Sequence, residues 1–224
     1  MRFISKSPEP VSLTKIKELK QLRFKPRFQN LPPNVLNDIL QQLLQDQGYL
    51  CCYTMDEITA ETAVLVHLHP IDYYPDRELD YRNMYLALQQ APNLPPEYRV
   101  GYMSKEEAVI PDYLSDVRCH SFFRYNTLGE IVPAGAFRTI KKCRDNFRRL
   151  SAAQQLVFCT IEVLNLNAEH LKQQRRQVYT EVLKGVQKVG KSQIPQIVEK
   201  LRQKDKKGKL RRFNEMIIYY LENI

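Results

Sequence analysis

Residues 64–88 read VLVHLHPIDYYPDRELDYRNMYLAL, and how this stretch is parsed decides the fold. Ala63 to Leu68 is rich in β-branched and aliphatic residues and reads as a strand. Pro70 and Pro75 then force an extended loop, because each fixes its own φ and restricts its predecessor. Asp80 is placed to cap a helix carrying Met84, Tyr85, Leu86 and Leu88. Just upstream, Tyr49 to Tyr53 (YLCCY) has strand composition, and the acidic connection Thr54 to Thr62 separates it from Ala63. An antiparallel hairpin of Tyr49–Tyr53 with Ala63–Leu68, crossed by a helix from Asp80, is the expectation.

Strand, turn, strand, loop and helix in this order outline a ββα-metal finger. In that outline a histidine ending the second strand faces an asparagine near the helix start, which here means His67 and Asn83. His69 shares the face of His67 if the strand persists, but Pro70 directs it toward the loop.

The stretch resembles the HNH endonuclease subunit of Septu-type and retron-associated antiphage systems. Aligned on Pro70, His67 takes that family's histidine position, Leu68 its phenylalanine, and Tyr74-Pro75 its Tyr-Pro. Asp80, Tyr81, Asn83 and Met84 take the positions of its Asp-Tyr-x-Asn-Leu. A second block agrees in order: Phe123 to Pro133 (FRYNTLGEIVP) and Thr160 to Tyr179 (TIEVLNLNAEHLKQQRRQVY) are similar to its closing strand pair and Leu-Asn-Leu-Asn junction. The likeness runs from about Arg2 to Leu183.

Departures cluster at the metal motifs. Val66 stands where the family has an acid, and Thr54 where Cys51 would have its cysteine partner. The second cysteine pair falls at Leu88 and near Val100. No zinc is expected, since adjacent Cys51 and Cys52 lack ligand spacing, although Cys119-His120 could in principle supply two further donors across the fold.

The resemblance implies phosphodiester hydrolysis with one divalent ion, Mg²⁺ or similar, with His67 as general base and Asn83 positioning the loop or the ion. Asp72 or Asp80 would then replace the missing acid as ligand. Lys105 is a candidate to complete the site. With Lys141, Lys142, Arg148 and Arg149 it is also a candidate nucleic-acid contact. An ABC-type ATPase partner is implied as well. A degenerate finger that binds nucleic acid or acts as an adaptor without cutting is the alternative, and a basic helical interaction protein with incidental His and Asn is a third.

Charge supports polyanion contact at both ends. Residues 1–30 carry eight Lys/Arg against two acids, residues 31–130 six against fifteen, and residues 131–224 twenty against eight. The expected organisation is a basic N-terminal arm (1–30), an HNH-like α+β module with its zinc knuckle lost (31–133), and a helical C-terminal half (134–224) of the same domain. Within the arm, Arg2-Phe3-Ile4 suggests a short strand and Leu13 to Leu22 a short basic helix. Val35, Leu36, Ile39, Leu40, Leu43 and Leu44 form one helix face ended by Gly48. Asn126 to Gly129 is a hairpin turn, Ser151-x-x-Gln154 a capping box, and Asn167 a cap for the following helix. Without a 20-residue apolar run, an apolar leader or a regular cysteine framework, the chain is expected to be cytoplasmic and not membrane-bound.

Overall fold

A computed structural model describes residues 1–18 and 26–224, and the chain is mixed α+β. Its elements are α1 (Val11–Glu18), α2 (Pro33–Gln47), β1 (Ala63–His67), β2 (Met84–Leu88), α3 (Tyr102–Lys105), β3 (Phe123–Tyr125), β4 (Ile131–Pro133), α4 (Ile140–Asp145), α5 (Ala152–Val163), α6 (Glu169–Val189), α7 (Ile194–Arg202) and α8 (Asn214–Glu222). Two separate antiparallel pairs, β1–β2 and β3–β4, are embedded among these helices. One buried core takes in Met1, Ile4 and Leu13 from the N-terminal segment, the β1–β2 pair, and Ile217 and Leu221 of α8.

The strand expected at Tyr49–Tyr53 does not pair with β1. Instead Ala63 lies opposite Leu88 and His67 opposite Met84, so β2 is β1's partner. The segment expected as a helix from Asp80 is a 3₁₀ turn, Tyr81–Asn83, running straight into that strand. Asp80 does cap, its carboxylate accepting from the Arg82 amide at 2.9 Å. Four consecutive buried residues, Met84 to Ala87, explain the misreading. A strand covered on both faces shows a continuous apolar run, which periodicity cannot tell from a buried helix.

Backbone conformation explains why Tyr49–Tyr53 takes another course. Gly48 and Tyr49 both sit at left-handed φ (61° and 59°), and Met55 does too. The chain therefore curls on itself, with a lone bridge between Leu50 and Glu57 and an Ile58 amide donating to the Tyr49 carbonyl. Only Cys52 reaches the sheet, its amide donating to the Leu86 carbonyl at 3.0 Å. The remaining need of that edge is met by a side chain. Gln47, buried at the end of α2, accepts from the Leu86 amide at 2.7 Å and donates to the Leu86 and Leu50 carbonyls at 2.9 and 2.7 Å.

Elsewhere the sequence expectations hold in outline. The α2 face is buried at Val35, Ile39, Leu43 and Leu44, with left-handed Gly48 as its C-cap. The Asn126–Gly129 turn joins β3 to β4. Ser151 and Gln154 form the full capping box of α5. Asn167, expected to cap α6, instead pairs with both backbone groups of Ile131 at 2.8 and 2.9 Å, tying the α5–α6 junction to β4. Arg2–Ile4 forms no strand, and of the expected Leu13–Leu22 helix, Leu13 to Glu18 lie in α1 while residues 19–22 lie outside the described residues.

Leaving a buried strand N–H without a partner costs about 1–3 kcal/mol. Gln47→Leu is therefore expected to lower the unfolding free energy by roughly 2 kcal/mol, whereas Gln41→Leu on the exposed side of α2 should change it by less than about 0.5 kcal/mol. Urea unfolding of both variants checks this, and equal effects would mean that Gln47 does not hold the edge.

Candidate functional site

The loop between β1 and β2 carries the candidate site, and Asn83 closes it. Its Oδ1 accepts from the His69 amide at 2.8 Å, and its Nδ2 donates to the carbonyls of His69 and Arg77 at 3.0 and 3.2 Å. Its own backbone carbonyl accepts from the Leu68 amide, and its amide donates to Asp80. The residue is completely buried. Asn83 thus joins the two ends and the middle of the loop.

His67 ends β1, half-buried, with its ring edge-on to Phe28 at 5.0 Å between centroids. Its Nε2 lies 2.9 Å from the Glu78 carbonyl. A carbonyl can only accept, so Nε2 carries the proton and Nδ1 presents the lone pair. Burial pulls the His67 pKa below its ordinary 6.5, opposed by the Glu78 carbonyl and carboxylate. The ring is therefore neutral at pH 7, with one nitrogen able to take a proton. His69 turns into the loop, as its position before Pro70 implied, and its ring packs at 5.2 Å against Tyr74.

His67 lines a cavity of about 350 Å³ together with Tyr53, Val66, Tyr102, Lys105, Glu106 and Glu107. Lys105 ends α3 and is buried, and desolvation lowers its amine pKa while Glu107 opposes the shift. It is a wall of this cavity and not a surface cation. Glu106 and Glu107 were not singled out from sequence. Among the described residues they are the only acids lining the cavity, and Glu106 has a left-handed φ of 47°. Their one sequence signal was adjacency to Lys105.

The residues expected to hold a divalent ion do not fit one. Asn83 is sealed inside the protein by its backbone partners. Both oxygens of Asp80 are engaged, one by the Arg82 amide and the other by the Arg77 guanidinium at 3.1 Å. Asp72 is exposed on the loop. Among the described residues, no three His, Cys, Asp or Glu side chains converge as a metal-ligand set. At the zinc-knuckle positions, a buried Thr54, its hydroxyl accepting from the Asp56 amide, stands where a second cysteine would pair with Cys51. Cys119 is buried near the N-terminal amine, while His120 is exposed. Val100 is buried against Ala168 and Leu171.

The remaining basic candidates lie on α4 and the turn after it. Lys141, Lys142, Arg148 and Arg149 are exposed, and Lys141 pairs with Asp145 at 2.6 Å. No helix among the described residues is long and apolar enough to cross a membrane. No family model and no curated protein matches the chain.

A buried base with a lowered pKa gives folding stability a definite pH dependence. Below about pH 6.5 the unfolded chain binds protons that folded His67 and His69 resist, so stability falls with pH. Urea midpoints are expected to drop between pH 7.5 and 5.5. His67→Gln, which keeps a donor for the Glu78 carbonyl without titrating, should flatten part of that drop. An unchanged slope would show that His67 does not titrate with a lowered pKa.

Proposed function

We propose that this chain is a catalytically degenerate HNH-like subunit of an antiviral (antiphage) defence complex, binding DNA or RNA rather than cutting it. The observation that carries this reading is the engagement of Asn83 and Asp80. In the finger that the sequence resembles, these positions serve the ion or its loop. Here Asn83 is buried and hydrogen-bonded to backbone, and Asp80 is shared between a turn amide and Arg77. Both act as braces, and bracing needs no metal. Of the finger outline, what remains is His67 at the end of β1 and Asn83 closing the loop just before β2, without the first strand or the helix. The net charge of +9, concentrated toward both ends, supports phosphate contact.

A second reading, an HNH endonuclease subunit active only with an ABC-type ATPase partner, draws on the His67 cavity. A neutral imidazole with a free Nδ1 beside Glu106 and Glu107 has the elements of a general base near carboxylates. The two readings separate on one residue.

The chain alone is expected to bind oligonucleotides with an affinity that falls steeply with salt, and to yield no product with Mg²⁺. His67→Ala should match wild type in binding and in phage protection, alone and with the ATPase. His67-dependent cleavage of DNA or tRNA under either condition would overturn the degenerate reading in favour of the second.

A further inference from the structure

A second cavity, of about 390 Å³, opens between the β3–β4 hairpin, α6 and the end of α8. Such a volume falls within the range of small-ligand sites. Tyr125, Tyr179, Tyr219 and Tyr220 line it, and Arg124 and Arg138 flank them. Among the described residues, no Asp or Glu side chain contributes to the lining. Both arginines are exposed, and neither pairs with a carboxylate among the described residues. The terminal residue, Ile224, also borders the cavity, and its carbonyl oxygen accepts from Lys191 at 3.3 Å.

The tyrosines are not simply stacked on one another. Tyr179 and Tyr220 lie 4.6 Å apart at 53°, and Tyr125 and Tyr219 5.7 Å apart at 59°. Tilted packing leaves ring faces without a parallel partner. The Tyr220 hydroxyl is committed to the Asn126 carbonyl at 2.7 Å, but those of Tyr179 and Tyr219 bond to nothing among the described residues. Half-buried tyrosines with unpaired hydroxyls beside unpaired arginines combine an apolar floor, donors and positive charge.

We infer that this cleft holds an unpaired base of single-stranded nucleic acid, stacked on Tyr179 or Tyr219, with Arg124 and Arg138 on the flanking phosphates. Aromatic faces take any base, and guanidiniums track the backbone. A duplex keeps its bases paired inside and has no ring to offer such a floor. A strand fits better than an uncharged peptide, because the charge continues along the chain from Arg138 into exposed Lys142 of α4. The inference rests on the nucleic-acid reading and assigns it a site away from His67.

The test is fluorescence anisotropy with a labelled oligo-dT, an oligo-rU and a duplex of equal length. It compares wild type, Arg124→Gln/Arg138→Gln, Tyr219→Leu and Tyr219→Phe. The arginine pair is exposed, so its loss leaves folding intact. Single-strand affinity is expected to fall about tenfold in Tyr219→Leu and in the arginine variant, and to persist in Tyr219→Phe, which keeps the ring. The salt slope of the arginine variant should become shallower by about 1.4, the value for two single-strand phosphates. Duplex binding should stay unchanged. Should Tyr219→Leu unfold early in a melting control, the arginine variant and its slope decide the matter. Single-strand affinity unchanged in the arginine variant overturns the cleft while leaving nucleic-acid binding standing elsewhere. Absence of any oligonucleotide binding by wild type overturns the reading on which the cleft rests.

Discussion

The carboxamide of Asn83 is the constraint on which the candidate site depends. Two five-residue strands, β1 and β2, are joined by a long excursion with two prolines and little regular structure. Closing such a loop costs chain entropy, and its interior polar groups need partners. One buried amide supplies three hydrogen bonds across it, to the amide and carbonyl of His69 and to the carbonyl of Arg77. Those bonds fix the path of residues 77 and 78, which in turn sets the Glu78 carbonyl against His67. The tautomer and orientation of the one candidate base are consequences of a structural asparagine two turns of chain away.

Gln47 plays the matching part at the other side of the sheet, and it marks where sequence reading fell short. The composition of Tyr49–Tyr53 is that of a strand, and nothing in it announces that left-handed Tyr49 and Met55 curl the segment back on itself. The edge it leaves is served by a helix-terminal glutamine, a role that a pattern of apolar positions cannot register. What periodicity and punctuation do carry came through: the α2 face and its glycine cap, the Asn-Gly-bounded hairpin, and the capping box of α5. These are local features, whose physics is complete within a few residues. β1's partner and the role of Asn167 are long-range, and both were misplaced from sequence.

The site was legible in its residues more than in its geometry. His67, Asn83 and Lys105 were picked from sequence, and the structure brings His67 and Lys105 to one cavity while placing Asn83 in the wall of the adjoining loop. Asp72 and Asp80 remain apart from them, one exposed and one engaged by Arg77. Glu106 and Glu107 escaped notice because they lie in a charged stretch that reads as loop, and only the turn after α3 returns them to β1. Basic segments were recognised by count, but count does not separate buried Lys105 from exposed Lys142.

Scaffold and chemistry make competing demands on the same side chains. An ion-holding oxygen must face an open site with its lone pairs free, whereas a bracing oxygen gains most when buried and saturated. Burial settles the contest for Asn83, since the second lone pair of its Oδ1 faces protein and not solvent. At the position before His67, a valine side chain contributes packing and no charge. Both substitute local stability for the ligand field that a metal would need, and they act on the same loop. His67 differs: its Nε2 is used for orientation, and its Nδ1 bonds to nothing among the described residues. A scaffold that braces Asn83 and Asp80 leaves the Nδ1 of His67 without a hydrogen-bond partner among the described residues, so the chemistry of the cavity turns on whether a neighbour gives that nitrogen a proton to move.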